Sequence, residues 1–197
     1  MRLVVATRNP DKLREIRQKL RNLNIEVLSV GEFEGVPEVE EDGETLEENA
    51  LKKARVVAEA TGLPAIADDT GLEVYALGGA PGVYSARFAG DNATYADNNR
   101  KLLALLKGKE DRRARFRCVI AYVDGDIEEL FEGVLEGEII ESLRGENGFG
   151  YDPVFYVPSL GRTLAELSRE EKNEVSHRGR ALDKLVAFLE SRGVAQR

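Results

Sequence analysis

Sulfur and imidazole are scarce in this chain, which has one cysteine, one methionine and one histidine. A lone cysteine excludes an internal disulfide and fits a reducing, cytoplasmic location. One Cys and one His also exclude zinc sites of the finger or ribbon type, which need four nitrogen or sulfur ligands. Cys118 sits in RFRCVIAYV, which reads as a buried strand, so a structural thiol is expected.

Long apolar runs are missing too. No segment approaches the roughly 18 residues needed to cross a membrane. The opening MRLVVATRNPDK lacks the apolar length and the small-residue cleavage site of a signal peptide. Positive charge is in deficit: 36 acidic against 28 basic residues leave a formal charge of −8. An extended nucleic-acid surface needs a basic stripe, so no nucleic-acid partner is expected. A small anionic ligand stays open, because a few convergent Lys and Arg residues suffice locally. No G-x-G-x-x-G follows a strand, and the glycines and Lys-Ser/Thr pair of a P-loop are absent.

What is present suits a soluble α/β protein. The 197 residues, 42% hydrophobic and 32% charged, are enough for one sizeable core or two closely packed lobes. Arg2 to Ala6 reads as a strand. A helix follows from Asp11 to Leu23, with Leu13, Ile16, Leu20 and Leu23 at helical spacing. After a strand over 25–30 and an acidic loop over 31–44, Thr45 and Glu48 form a capping box. That helix is stopped by Gly62 and Pro64. AIADDTGLEV reads as two strands joined by a DDTG turn, and a Gly-rich loop over 78–90 leads into a helix from Tyr95 to Lys107. FRCVIAYV and LFEGVLEGEII flank a VDGDI turn and read as a long hairpin. GENGFGYDP is a second Gly-rich loop, PVFYVP a last strand, and Ser168 and Ser176 cap two final helices. With no repeat or linker, residues 1–197 form one domain with a mixed sheet.

Four segments bear chemistry. In VVATRNPDK a strand, a tight turn and a helix start bring backbone N–H groups and the positive helix end together, as in a phosphate cradle. Lys12 lies in the first helical turn, where a cation is disfavoured unless an anion sits there. The competing reading is a plain strand-to-helix turn capped by Asn9 and Asp11. The acidic loop carries Glu40, Glu41 and Asp42; most such acids are solvated, yet one carboxylate meeting another from DDTG suits Mg²⁺. In ENALKKA, Lys52 and Lys53 point to different faces, so one can turn inward towards phosphate charge. GFGYDP offers glycines for close backbone approach, with Phe149 and Tyr151 as flat surfaces for a base. In EEKNEVSHRGRAL, His177 and Arg178 follow a Ser cap with Lys172 nearby, and a ligand-facing role competes with that of ordinary surface residues.

Taken together, ATRNPDK, EEDGETLEENALKKA, ADDTGLEVYALGGAPGVYSARFAG, GFGYDP and SHRGRAL resemble the signature blocks of the inosine triphosphate pyrophosphatase family. That family hydrolyses non-canonical purine nucleoside triphosphates. The blocks occur in the family's order over nearly the whole chain. Thr70 stands where many relatives have Ser, and the hydroxyl is retained.

The resemblance implies hydrolysis of ITP, dITP and XTP to the nucleoside monophosphate and pyrophosphate with Mg²⁺. It implies an elongated mixed α/β fold, two lobes with the active cleft between them, and a homodimer. By the same resemblance Thr7, Arg8, Asn9, Pro10, Asp11 and Lys12 grip the triphosphate. Asp69 is the general base and a metal ligand, with Glu40 the acidic-loop ligand and Glu41 ranked below it. Lys53 and Asp68 lie close to phosphate and metal, and Thr70 touches the substrate. Phe149, Gly150, Tyr151 and Asp152 bind the base, with Lys172, His177 and Arg178 on the C-terminal side of its pocket. Two rivals are a pyrophosphatase of modified pyrimidine triphosphates and a non-catalytic nucleotide- or RNA-binding module. Acidic net charge counts against RNA, and paired acids beside a phosphate cradle have no use in a pure binder.

Overall fold

The computed structural model describes residues 1–197. In chain order the elements are β1 (Arg2–Val5), α1 (Pro10–Leu20), β2 (Glu26–Ser29), α2 (Leu46–Thr61), β3 (Ala65–Val74), β4 (Pro81–Gly82) and α3 (Tyr95–Leu106). Then come β5 (Arg113–Asp124), β6 (Ile127–Ile139), β7 (Phe155–Val157), β8 (Arg162–Thr163), α4 (Arg169–Val175) and α5 (His177–Ser191). One 8-stranded sheet runs β2-β1-β3-β5-β6-β7-β8, with β4 paired to β3. β1 lies parallel to β2 and β3, whereas β3–β4, β6–β7 and β7–β8 are antiparallel, so the sheet is mixed as expected.

The chain divides into two compact units. The first holds residues 1–69, 118–133 and 178–197; the second holds 70–117 and 134–177. β3 passes from the first to the second at Asp69–Thr70, and α5 begins with His177 in the second and Arg178 in the first. The core of the first unit gathers Leu3, Val5, Ile16, Ile66, Ile120 and Leu185 from β1, α1, β3, β5 and α5. That of the second gathers Leu72, Leu102, Phe116, Leu135, Phe155 and Leu164. Each set follows its element's own period: every second residue on the strands, every third or fourth on the helices.

Capping chemistry fixes several helix ends. Asn9 is the N-cap of α1, its Oδ1 accepting from the N–H groups of Asp11 (2.9 Å) and Lys12 (3.3 Å), with Pro10 as first helical residue. α1 stops at Leu20, short of the expected Leu23; Leu23 leaves the helix and bridges to Gln196. Thr45 caps α2 through Glu48 N–H (3.1 Å), but Glu48 reaches back to Glu44 N–H (2.7 Å) rather than to Thr45 itself. Gly62, at φ +66, ends α2 in the left-handed region that glycine enters without steric penalty. Ser168 and Glu171 make the complete capping box expected of α4.

Two further expectations are corrected. DDTG is not a turn: β3 runs unbroken from Ala65 to Val74, buried at both aspartates. The local pattern favours a turn, but partners distant in sequence compensate both carboxylates and let the backbone stay extended. PVFYVP is not the last strand either, since β8 follows it and pairs with β7.

Candidate active site

Asp68 is the centre of a buried charge network in the first unit. Its Oδ2 receives Lys12 Nζ at 3.1 Å and Arg178 Nε at 3.2 Å, and its backbone carbonyl receives Lys53 Nζ at 2.5 Å. Arg178 is 1% exposed and also donates Nη1 to Glu15 Oε2 at 2.6 Å. Lys53 is further paired with Glu41. The anion that justifies a lysine in the first turn of α1 is therefore the protein's own Asp68.

Asp68 and Asp69 alternate across β3 and meet different partners. Asn49, on the buried face of α2, donates to the Asp69 carboxylate, while its Oδ1 accepts Gly43 N–H at 2.8 Å. A side chain on Gly43 would lie 2.6 Å from that oxygen, so glycine permits the contact. Asn49 thus ties the acidic loop to Asp69.

The two carboxyl groups are displaced in opposite directions. Burial alone would raise both. At Asp68 the charges of Lys12, Arg178 and Lys53 outweigh it and hold the group far below the ordinary carboxylate range. At Asp69 burial prevails over Lys53 and Lys12, helped by the charge of Glu41, and the group is pushed up. Glu41 is pulled down, because Lys53 outweighs its burial. Neighbouring acids with separated proton affinities suit separate tasks, one a permanent anion and the other a proton acceptor.

The donor set also fits a hard divalent cation. Glu15, Glu41, Asp68 and Asp69 face the cations Lys12, Lys53 and Arg178, leaving one negative charge in excess. No three His, Cys, Asp or Glu side chains converge as a dedicated cage. Mg²⁺ needs none, as it binds through one or two carboxylates plus waters and substrate phosphates. In the acidic loop Glu40 is exposed and its backbone carbonyl accepts Lys52 Nζ at 2.8 Å, whereas the Glu41 carboxylate is engaged by Lys53. Lys53, not Lys52, is the inward lysine.

The 7–12 turn is a capped turn as well as a candidate cradle. Thr7 Oγ1 accepts Asn9 N–H at 3.1 Å, Arg8 and Pro10 are exposed, and Asp11 pairs with Arg14.

In the second unit, the 148–152 loop is held from several directions. Asp152 Oδ2 accepts Phe149 N–H at 3.0 Å and Lys172 Nζ at 2.6 Å. A Cβ at Gly148, whose φ is +68, would lie 2.3 Å from the same oxygen. The Lys172 ammonium lies 4.4 Å from the centre of the Phe149 ring. The Tyr151 hydroxyl donates to Ser85 O at 2.6 Å, and Asn99 Nδ2 to Gly150 O at 2.9 Å. His177 is 2% exposed and stacks on Phe116, with ring centres 4.4 Å apart and 14° between planes. Neither His177 nor Arg178 is a surface residue, and Thr70 lies half-buried on β3.

Four residues of these networks escaped the sequence reading: Glu15, Asn49, Ser85 and Asn99. A usable signal existed for three. Glu15 follows Lys12 at helical spacing, and Asn49 and Asn99 are polar residues inside the apolar stripes of α2 and α3. Nothing local marked Ser85.

The model of the Ham1 family matches residues 3–188. A dITP/XTP pyrophosphatase of Caldanaerobacter subterraneus subsp. tengcongensis is 56% identical, covering 96% of both chains. One of Geobacter sulfurreducens is also 56% identical over 98% of both. A solved HAM1 protein from Coxiella burnetii superposes with a TM-score of 0.89 at 49% identity, covering 97% of this chain and 99% of its own.

Proposed function

The chain belongs to the Ham1 family, and from that premise we propose how its residues divide the work on a nucleoside triphosphate. It is a pyrophosphatase of non-canonical purine nucleoside triphosphates, with dITP and XTP as the substrates named for its relatives. The observation that carries the assignment of roles is the opposite displacement of Asp68 and Asp69 beside Lys12 and Lys53.

Asp69 takes the proton from the water that attacks the α-phosphorus, and the pyrophosphate group leaves. Its proton affinity, raised by burial, makes it a stronger base than a solvated aspartate. Asp68 keeps Lys12 and Arg178 in place as a fixed anion. Lys12, Lys53 and the Thr7–Lys12 turn register the triphosphate, so that attack falls on the α- rather than the γ-phosphorus. We assign Mg²⁺ to Asp69 and an acid of the 40–41 pair. When bound it offsets the polyanion's charge and stabilises the charge growing on the leaving group.

In the second unit, Phe149 offers its face to the base, and backbone donors of the 149–152 loop meet the 6-oxo group. Adenine presents a 6-amino donor there, which would leave such donors unpaired. A site built to hydrogen-bond one group can reject its replacement by roughly 10⁴-fold, about 5.5 kcal/mol. Thr70, Lys172, His177 and Arg178 complete the substrate contacts in this reading. A homodimer and a cytoplasmic location belong to it as well, supported by the family resemblance and the single cysteine. No helix is long and apolar enough to cross a membrane.

Chromatography of products from dITP, ATP, GTP and methylated dUTP, with and without Mg²⁺, tests the whole. The reading expects dIMP and pyrophosphate from dITP only when Mg²⁺ is present, and little turnover of the others. Orthophosphate release, or preference for the pyrimidine, contradicts it.

A further inference from the structure

The geometry points to Asn99 as a positioning residue for base recognition, acting through the peptide that joins Gly150 to Tyr151. This inference rests on the purine pyrophosphatase reading above and deepens it.

Asn99 occupies a place where packing alone calls for an apolar side chain. It lies on the buried face of α3 with Leu102 and Leu106 and is 3% exposed. Its neighbour Asn98 uses both ends of its amide, accepting Ala89 N–H at 2.8 Å and donating to Ala86 O at 3.1 Å. Asn99 instead donates Nδ2 to Gly150 O at 2.9 Å, while its buried Oδ1 has no hydrogen-bond partner. Turning the amide over would set oxygen against the Gly150 carbonyl, so that hydrogen bond dictates the orientation. A buried polar group that tolerates one unmatched atom to make one bond is a sign that the bond matters.

The bond falls on the central peptide of a turn. Asp152 N–H reaches Phe149 O at 3.2 Å, Gly150 has φ +62, and Tyr151 has φ −84 and ψ 0. Positive φ at the first central residue and ordinary values at the second are the signature of a type II′ turn. The corners are tied by other groups: Phe149 N–H to Asp152, Asp152 to Lys172, and the Tyr151 hydroxyl to Ser85. Asn99 ties the middle.

A trans peptide is planar, and its C=O and N–H point in opposite directions. By holding the Gly150 carbonyl towards α3, Asn99 directs the Tyr151 N–H away from α3. Gly150 and its two chain neighbours apart, no atom lies within 4 Å of where a Gly150 Cβ would be. A complete flip of this peptide would force Tyr151 to positive φ, which a bulky residue resists. What Asn99 supplies is the aim of the N–H within the allowed range. Aimed at a 6-oxo purine, that donor is matched; aimed at adenine, it faces another donor.

The test is kcat/KM for dITP and for dATP in the wild type, Asn99→Ala and Asn99→Leu, the latter keeping bulk without a donor. Loss of folded protein lowers both constants equally and leaves their ratio unmoved, so the ratio isolates positioning from stability. The dITP-to-dATP ratio is expected to fall about tenfold or more in both variants, the worth of one well-aimed hydrogen bond. An unchanged ratio in a folded variant overturns the inference. In the wild type, dIMP is expected to slow amide-hydrogen exchange at Tyr151; exchange that dIMP leaves unaltered overturns it even if neither variant folds. A wild type that does not prefer dITP to dATP overturns the purine reading itself, an outcome distinguishable because it appears before any substitution is made.

Discussion

Asp68 and Asp69 are adjacent on one unbroken strand, yet Asp68 is held down as a carboxylate by Lys12 and Arg178 while Asp69 is pushed up by its burial. Lys12 and Lys53 act on both acids, but Asp68 is also paired directly with Arg178, whereas at Asp69 the charge of Glu41 adds to burial. Two residues of the same type thereby acquire different proton affinities without any change of backbone.

The division predicts that Asp69→Asn abolishes turnover with the fold retained. Removal of a positioned general base typically costs roughly 10²–10⁴-fold, and loss of the metal contact proposed for Asp69 would add to it. The check is kcat with dITP alongside the thermal midpoint. Turnover equal to wild type would take Asp69 out of the mechanism.

Asp68→Asn is expected to act on stability as well as activity. Breaking a buried ion pair by removing one partner costs about 3–5 kcal/mol, because the remaining charges are left uncompensated. The pH dependence follows from the direction of the shift. A carboxyl held below its ordinary value of about 3.9 contributes stability in full above that value. The contribution is lost as the pH falls towards the folded-state value. Acid unfolding of the wild type should therefore steepen below the ordinary carboxylate range, and Asp68→Asn should lack that component. Parallel acid-unfolding curves for the two proteins would contradict the network.

In the acidic loop, Glu41 is committed to Lys53, whereas Glu40 is exposed. Glu40→Gln is accordingly predicted to raise half-saturating Mg²⁺ by about tenfold or more, as perturbed metal sites do. Glu41→Gln should loosen Lys53 and raise KM for the triphosphate, with a smaller change in Mg²⁺ requirement. Titrating activity with Mg²⁺ in both variants decides it, and the reverse pattern would make Glu41 the ligand.

Asn49→Ala is expected to free the acidic loop from Asp69. Loss of a buried hydrogen bond to a charged group is worth about 1.5–3 kcal/mol. Part of that should appear as a weaker response to Mg²⁺ rather than as a lower thermal midpoint alone. Equal effects with and without Mg²⁺ would reduce Asn49 to a structural residue.

Much of this was legible because capping and motif chemistry are local. Thr45, Gly62, Ser168 and Glu171 mark helix ends through contacts only a few residues apart, and the charges of Lys12, Lys53 and Asp69, which the fold gathers, stand out in the sequence. The misreadings share one cause. Asp-Asp-Thr-Gly looks like a turn until Lys12 and Arg178, far away in sequence, supply the charge that allows a buried extended strand. His177 and Arg178 look like donors open to solvent until Phe116 and Glu15 are seen to bury them. Asn49 and Asn99 are inconspicuous in the sequence because one polar residue in an apolar stripe is weak evidence until its partner is known.

The central claim is that water attacks the α-phosphorus, with Asp69 accepting its proton. Hydrolysis of dITP in ¹⁸O-enriched water, with mass analysis of both products, tests it most directly. The account predicts the heavy oxygen in dIMP and none in pyrophosphate; label in the pyrophosphate, or in released orthophosphate, would contradict it.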